Sequence, residues 1–324
     1  MPIVAHITCP ALPSRPSGAA RLMLRLFGGL ALLAGCGGAQ TQAANEAAGE
    51  PGSSSGTSPQ ANGETGESLA QFRSKLSGGL DGATELKLAA KGWGPELGSV
   101  LGDSAALESL TELDVSDNEL GIVGTRALAS SAHLSALRDL DLGGNDIGDD
   151  GAIAIAGAKS LAGLETLNVS GNSIAGTGTQ ALIQGSAKKL ASLDLSMNDI
   201  GSVGASAVGS ARLPLTALYL LGCEIGPSGL KELTGSKHLS RLRVLALSGN
   251  SLGDEGVQAL SKSTGLANLT TLDLSANGVS DVGAIALAQS VHLKKLKVLE
   301  LFGNDIGARG AAALKKRFGN GLHL

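Results

Sequence analysis

The chain has 324 residues, a formal net charge of −4 and 43% apolar residues, yet only 2% are aromatic. So few rings and a mildly acidic balance exclude single-strand nucleic-acid binding, which stacks bases on aromatic platforms over a basic groove. Three cysteines, Cys9, Cys36 and Cys223, exclude a disulfide framework, so core packing must hold the fold.

In chain order, Arg15, Arg21 and Arg25 come first, ahead of an apolar run from Leu26 to Ala34 that ends in Leu33-Ala34-Gly35-Cys36. A basic stretch followed by so short an apolar segment predicts an export signal over residues 1–35, because a membrane span needs about 20 apolar residues. Pro2, Pro10, Pro13 and Pro16 precede it and leave room for a later start. Leu-Ala-Gly-Cys resembles the lipobox of bacterial lipoproteins. The resemblance implies cleavage before Cys36, diacylglycerol on its thiol and an acyl chain, such as palmitate, on the new amino terminus. Gly37 stands where Asp would resemble an inner-membrane retention signal, so the resemblance implies an envelope protein lipid-anchored in the outer membrane. Each buried CH₂ of the anchor contributes about 0.8 kcal/mol, and three chains hold where one does not. An uncleaved apolar start, or a secretory signal with a chance cysteine, is the alternative.

After Cys36, residues 37–67 are mostly Ala, Gly, Ser, Thr, Gln and Glu, with almost no large apolar side chain, so 36–67 is taken as one segment. Such a segment cannot bury enough surface to offset its ordering entropy and is read as a disordered tether reaching about 30 Å. Within 68–82, Leu69, Phe72 and Leu76 fall at helical spacing and predict a helix that caps the domain behind it.

From residue 83 to residue 324 a pattern Leu-x-x-Leu-x-Leu-x-x-Asn recurs. Its last position is Asn118, Asn145, Asn172, Asn198, Cys223, Asn250, Asn277 and Asn304, at steps of 27, 27, 26, 25, 27, 27 and 27 residues. Repetition at this period predicts a solenoid in which each unit packs on its neighbours. Leu140 and Leu142 alternate with Asp139 and Asp141, the period of a half-buried strand. Ile147, Gly151, Ala154 and Ile155 then recur at three- and four-residue steps, one face of a helix. The Asn side chains are expected to satisfy buried backbone groups as a ladder, with Cys223 a small packing substitute. The glycine six residues after each Asn is expected to let the helix approach the strand layer. A degenerate ninth unit stands in front, with Leu86 and Leu88 in register and Lys91 at the Asn position. At the far end, Phe318, Leu322 and Leu324 are placed to cover the last unit.

These motifs resemble the leucine-rich repeat family, in its ribonuclease-inhibitor-like subclass with long, helix-backed units. The expected fold class is α/β, about nine units in a horseshoe with a concave parallel sheet and convex helices. Strands about 4.8 Å apart facing helices 8–10 Å apart force the curve.

The concave face is then read unit by unit. Between the second and third Leu stand Lys87, Asp114, Asp141, Asn168, Asp194, Tyr219, Ala246, Asp273 and Glu300. The first half is acidic, while Tyr219, Leu221, Val244, Ala246, Val298 and Phe302 suggest an apolar strip in the second. A protein or peptide partner, basic where it meets the acids, fits such a face. The bland reading is that the aspartates only keep the sheet soluble. Carboxylates on an open sheet are expected to stay solvated and unperturbed, unlike a catalytic pair. His133, His238 and His292 occupy one repeat position near helix ends and lie too far apart to share a metal. The P-loop Lys-Ser/Thr is missing from the glycine turns. The expectation is a non-enzymatic binding module without cofactor, metal, nucleic acid or small-molecule substrate. Alternatives are an effector secreted with these repeats, or a GTPase activator acting through Arg126, Arg212 or Arg309.

Overall fold

A computed structural model describes residues 66–324, so the leader, Cys36 and the tether as far as residue 65 lie outside the described residues. Each unit contributes one three-residue strand centred on the first Leu of Leu-x-Leu, and both leucines of the pair are buried, as Leu140 and Leu142 are. The strands are β1 (Glu85–Lys87), β2 (Glu112–Asp114), β3 (Asp139–Asp141), β4 (Thr166–Asn168), β5 (Ser192–Asp194), β6 (Ala217–Tyr219), β7 (Val244–Ala246), β8 (Thr271–Asp273) and β9 (Val298–Glu300), followed by β10 (Leu322–His323). All ten form one parallel sheet in sequence order, with Leu86, Leu113, Leu140 and their successors side by side. Helices alternate with the strands: α1 (Leu69–Ser77), α2 (Gly94–Gly102), α3 (Gly121–Ala129), α4 (Gly148–Gly157), α5 (Gly176–Gln184), α6 (Gly201–Gly209), α7 (Gly226–Gly235), α8 (Gly253–Ser261), α9 (Asp281–Gln289) and α10 (Ala308–Phe318). The product is a curved solenoid with strands inside and helices outside.

Columns of buried leucines fill the space between the two layers as one continuous core from Phe72 to Leu314. Beside it runs the asparagine ladder. Asn145 Nδ2 donates to the carbonyls of Val115, Leu142 and Gly143, and its Oδ1 accepts from the N–H groups of Asn118 and Leu120. Asn118, Asn172, Asn198, Asn250, Asn277 and Asn304 repeat the scheme. Lys91 has no amide to give, but its N–H still donates to Asn118 Oδ1. At Cys223 the thiol donates to the Leu195 carbonyl, 3.2 Å away, and the N–H of Asn198 meets sulfur in place of an amide oxygen. Burial pushes this thiol up to about 12, so it stays protonated.

One expectation is corrected. The glycines six residues after the Asn do not face the strands. A Cβ on Gly124 would stand 2.9 Å from Pro95 Cα, and one on Gly229 2.9 Å from Ser202 Cα, so the close approach is to the preceding helix. Helix starts obey two rules that the sequence pattern did not reveal. At Gly121, Gly148, Gly201, Gly226 and Gly253 the chain enters the helix through a left-handed glycine. Its N–H donates to the backbone carbonyl at the next unit's Asn position, as Gly148 does to Asn172. Where α5, α9 and α10 start from an extended residue instead, a carboxylate of the preceding unit caps them. Asp149 Oδ1 accepts from Ala175 and Gly178, Asp254 Oδ1 from Ser280 and Gly283, and Asp281 Oδ1 from Gly310.

Both ends of the core are closed. Ser68 caps α1 through a reciprocal bond with Gln71, and Phe72 stacks on Trp93 with ring centroids 5.2 Å apart. At the other end Phe318 and Leu322 pack on the core, but Leu324 is half exposed. The larger contribution comes from Arg317, whose guanidinium donates to the carbonyls of Leu287, Ala288, Ser290 and Leu293 at the end of α9 and beyond it.

Candidate functional site

The sheet register aligns Asp114, Asp141, Asn168, Asp194, Tyr219, Ala246, Asp273 and Glu300 in one row across the concave face. The row's acids have a local task. One oxygen of Asp114, Asp141, Asn168, Asp194 and Asp273 accepts the N–H two residues further on, pinning the strand end. Asn168 also donates from Nδ2 to Asp141 Oδ1 at 2.9 Å.

These carboxylates are not freely solvated, contrary to expectation. Asp194 is 2% and Asp273 8% exposed. Burial pushes Asp141 above the usual carboxylate range, against the Gly143 N–H and the Asn168 amide, with Asp114 and Asp117 adding repulsion. Burial also raises Glu300, helped by Asp273 and opposed by His323, while Tyr219 is raised by burial and by Asp194. The cause is the local geometry. A strand of three residues turns at once, so the carboxylate folds back under its own turn instead of reaching into solvent.

Beyond this row lies the rim, where the chain leaves each strand. The residue before every ladder position is left-handed: Asp117, Gly144, Gly171, Met197, Gly222, Gly249, Ala276 and Gly303. Glycine takes φ near +60° freely, whereas other L-residues are strained there. Met197 occupies it at φ 58° and is nevertheless 46% exposed. With Leu221 it lines a hollow of about 130 Å³, together with Gly143, Gly144, Gly171 and Ser170. Sequence reasoning passed over Met197. The signal was present, since no other member of that column is large and apolar.

Residues 106–129, 133–156, 164–182, 186–209, 238–261, 265–288 and 292–315 each match the Leucine Rich repeat family, together covering just over half of the 324 residues. The chain belongs to the leucine-rich repeat family. No curated protein matches it. Residues 210–237, the leucine-rich repeat unit in which Cys223 replaces the ladder Asn, fall between the matched segments. Repeats of this family form protein-interaction scaffolds, typically without catalysis, which directs attention to the curved face.

On the leucine-rich repeat sheet the apolar side chains of the second half do not join into one strip. Tyr219 and Leu221 lie on and just beyond β6, half-buried, and Val244 on β7 is half-buried beside Ala217. Phe302, 49% exposed and 6.3 Å from the His323 ring, stands three strand spacings from Leu221, about 14 Å away. Buried Ser248 and Ser275 fill the positions between. Two walls with a low polar floor therefore replace the expected strip. His133 approaches Glu108 Oε1 at 3.0 Å. His238 and His292 open the return turns, each donating its N–H to a serine hydroxyl two residues back. Among the described residues no group of His, Cys, Asp and Glu is arranged to hold a metal.

Proposed function

We propose that this leucine-rich repeat protein is a non-enzymatic lipoprotein of a bacterial envelope, anchored through Cys36, that holds a protein or peptide on its concave face. The envelope location rests on Leu33-Ala34-Gly35-Cys36 behind a basic, apolar leader. The binding role rests chiefly on Met197. A large, exposed apolar side chain kept in a left-handed turn costs stability that glycine would not, and such strain is retained where a surface is used. Next to it, Leu221 and the glycine-lined hollow give an apolar partner side chain somewhere to insert.

The acid row gives the partner its polarity: Asp114 and Asp141, which stay partly exposed, favour a basic segment, while buried Asp194 is withdrawn from contact. Each reading has its own experiment. Cells fed labelled palmitate should yield labelled protein that loses its label on Cys36→Ala, and an unlabelled chain with Cys36 intact ends the anchor. Affinity capture from envelope extracts should recover a partner with the unchanged chain and lose it with Leu221→Glu. Equal capture at unchanged thermal stability removes this face from consideration.

A further inference from the structure

Because all ten strands run parallel, every turn from helix back to strand lies on one edge of the horseshoe, and every turn from strand to helix on the other. From the second repeat onward the two edges carry opposite charge. The return turns at 129–138, 156–165, 184–191, 209–216, 235–243, 262–270 and 289–297 hold twelve Lys or Arg and one carboxylate, Glu165. The return turn ahead of them, 102–111, is the exception, with Asp103 and Glu108. On the other edge, the turns together with the first residues of the helices they enter, at 117–123, 144–150, 171–177, 197–203, 222–228, 249–255, 276–282 and 303–309, hold eleven Asp or Glu and one cation, Arg309.

Backbone bonds keep the basic edge in line. Arg243 N–H donates to the Thr216 carbonyl, Thr270 to Arg243 and Lys297 to Thr270, so successive units stack without offset. Asn268 ties the row beside it, donating to the Ser240 carbonyl and accepting from Lys295 Nζ. Arg241, Arg243, Lys294, Lys295 and Lys297 are all exposed. Among the described residues, Arg138 is the one Lys or Arg of these turns within 4.0 Å of a carboxylate. Favourable placement at helix C-termini does not account for the cluster, since that effect fades within one turn. Arg241 and Arg243 come six and eight residues after the end of α7 at Gly235, and Lys294 to Lys297 come five to eight after Gln289.

We propose that the basic edge docks on anionic phospholipid headgroups, so that the horseshoe stands on its return turns with the acidic edge away from the membrane and the concave face open sideways. The basic turns follow one another along a single edge in unit order, so one surface can meet neighbouring turns together. Interspersed aromatic rings for base stacking are missing from the turns named, which favours lipid over nucleic acid. The inference deepens the envelope reading by giving the tethered domain an orientation, and it is tested without the anchor.

The chain from Cys36 onward, carrying Cys36→Ser, is mixed with vesicles of phosphatidylcholine alone or with about 30% phosphatidylglycerol, enough to resolve charge. Sedimentation should recover it with the anionic vesicles only, and about 0.5 M salt should release it. Lys294→Glu, Lys295→Glu and Lys297→Glu together should weaken the partition at least about 100-fold, and the milder Gln triple should weaken it less, with melting curves confirming folded protein. Equal sedimentation of the Glu triple overturns the proposal, as does tighter binding of the unchanged chain to duplex DNA than to the vesicles. Palmitate labelling is unaffected by either result, so the anchor and the docking edge stand or fall separately.

Discussion

Asn145 Oδ1 accepts the backbone N–H of Asn118 at 3.1 Å, joining two units through a side chain that is only 1% exposed. The same amide holds three carbonyls and a second N–H, all buried. Asn145→Ala leaves these buried groups without their partners. Each net bond is worth about 1 kcal/mol and each orphaned group costs more, so the loss should be at least about 3 kcal/mol. Urea unfolding checks this, and a loss below about 1 kcal/mol would mean the ladder is ornamental.

The Cys223 unit supplies the reverse experiment. Its thiol replaces the amide oxygen that Asn198 and Ile200 would otherwise meet, while Asn250 continues the ladder on the far side. Cys223→Asn should restore two acceptor contacts and raise stability by about 1–2 kcal/mol. The same urea midpoint measures it, and destabilisation would show that the shorter step to this unit leaves no room for the amide.

Gly98 faces Gly124 across the first pair of repeat helices, and a Cβ there would overlap the Gly124 carbonyl oxygen. Backbone, not a mobile side chain, is in the way. Gly98→Ala should cost about 2–3 kcal/mol despite the better helix propensity of alanine. Hydrogen exchange should place the loosening at α2 and α3 and leave α8 to α10 protected, because units couple chiefly to neighbours.

Two carboxylates should act in opposite directions with pH. Burial pushes Asp254 up, but the Ser280 hydroxyl and the N–H groups of Ser280 and Gly283 outweigh it and hold the group below 3.8. Its contribution is therefore complete above 3.8 and lost as pH falls through the lower folded value. Asp254→Asn should flatten that part of the acid limb. Asp141 is raised by burial, so its contribution is complete below 3.8 and lost as pH rises through its folded value. Asp141→Asn keeps an acceptor for Gly143 and should raise the melting temperature at neutral pH, the gain fading in acid. Melting curves from acid to neutral pH for both variants decide the signs.

Met197 should separate folding from binding. Met197→Gly relieves a strained turn, worth about 1–2 kcal/mol, against roughly 0.5–1 kcal/mol of added unfolded-state entropy. Stability should hold or rise by up to about 1 kcal/mol while capture of a partner from envelope extracts falls. A variant that binds as before assigns Met197 no part in recognition.

Much of the fold was legible in the sequence because it is periodic: Leu140 and Leu142 name a strand, Asn145 names the turn, and the step of 27 stacks one on the next. Local chemistry sufficed there, since each unit meets an almost identical neighbour. The pattern did not disclose features that depend on contacts between units. The capping of α5 by Asp149, the bonds from Arg317 to four carbonyls, and the glycines that meet a preceding helix all join residues 24 to 30 positions apart. On the concave face, Asp114, Asp141 and Asp194 were visible as letters, but their burial and their bonds to the next turn were not. Residue order alone was enough for the number, succession and inward face of the units. The backbone angle at Met197, the gap between Leu221 and Phe302, and the edge to which each charge belongs emerged only in three dimensions. Those features depend on how turns stack in space, and two chains with the same turn residues could stack them differently.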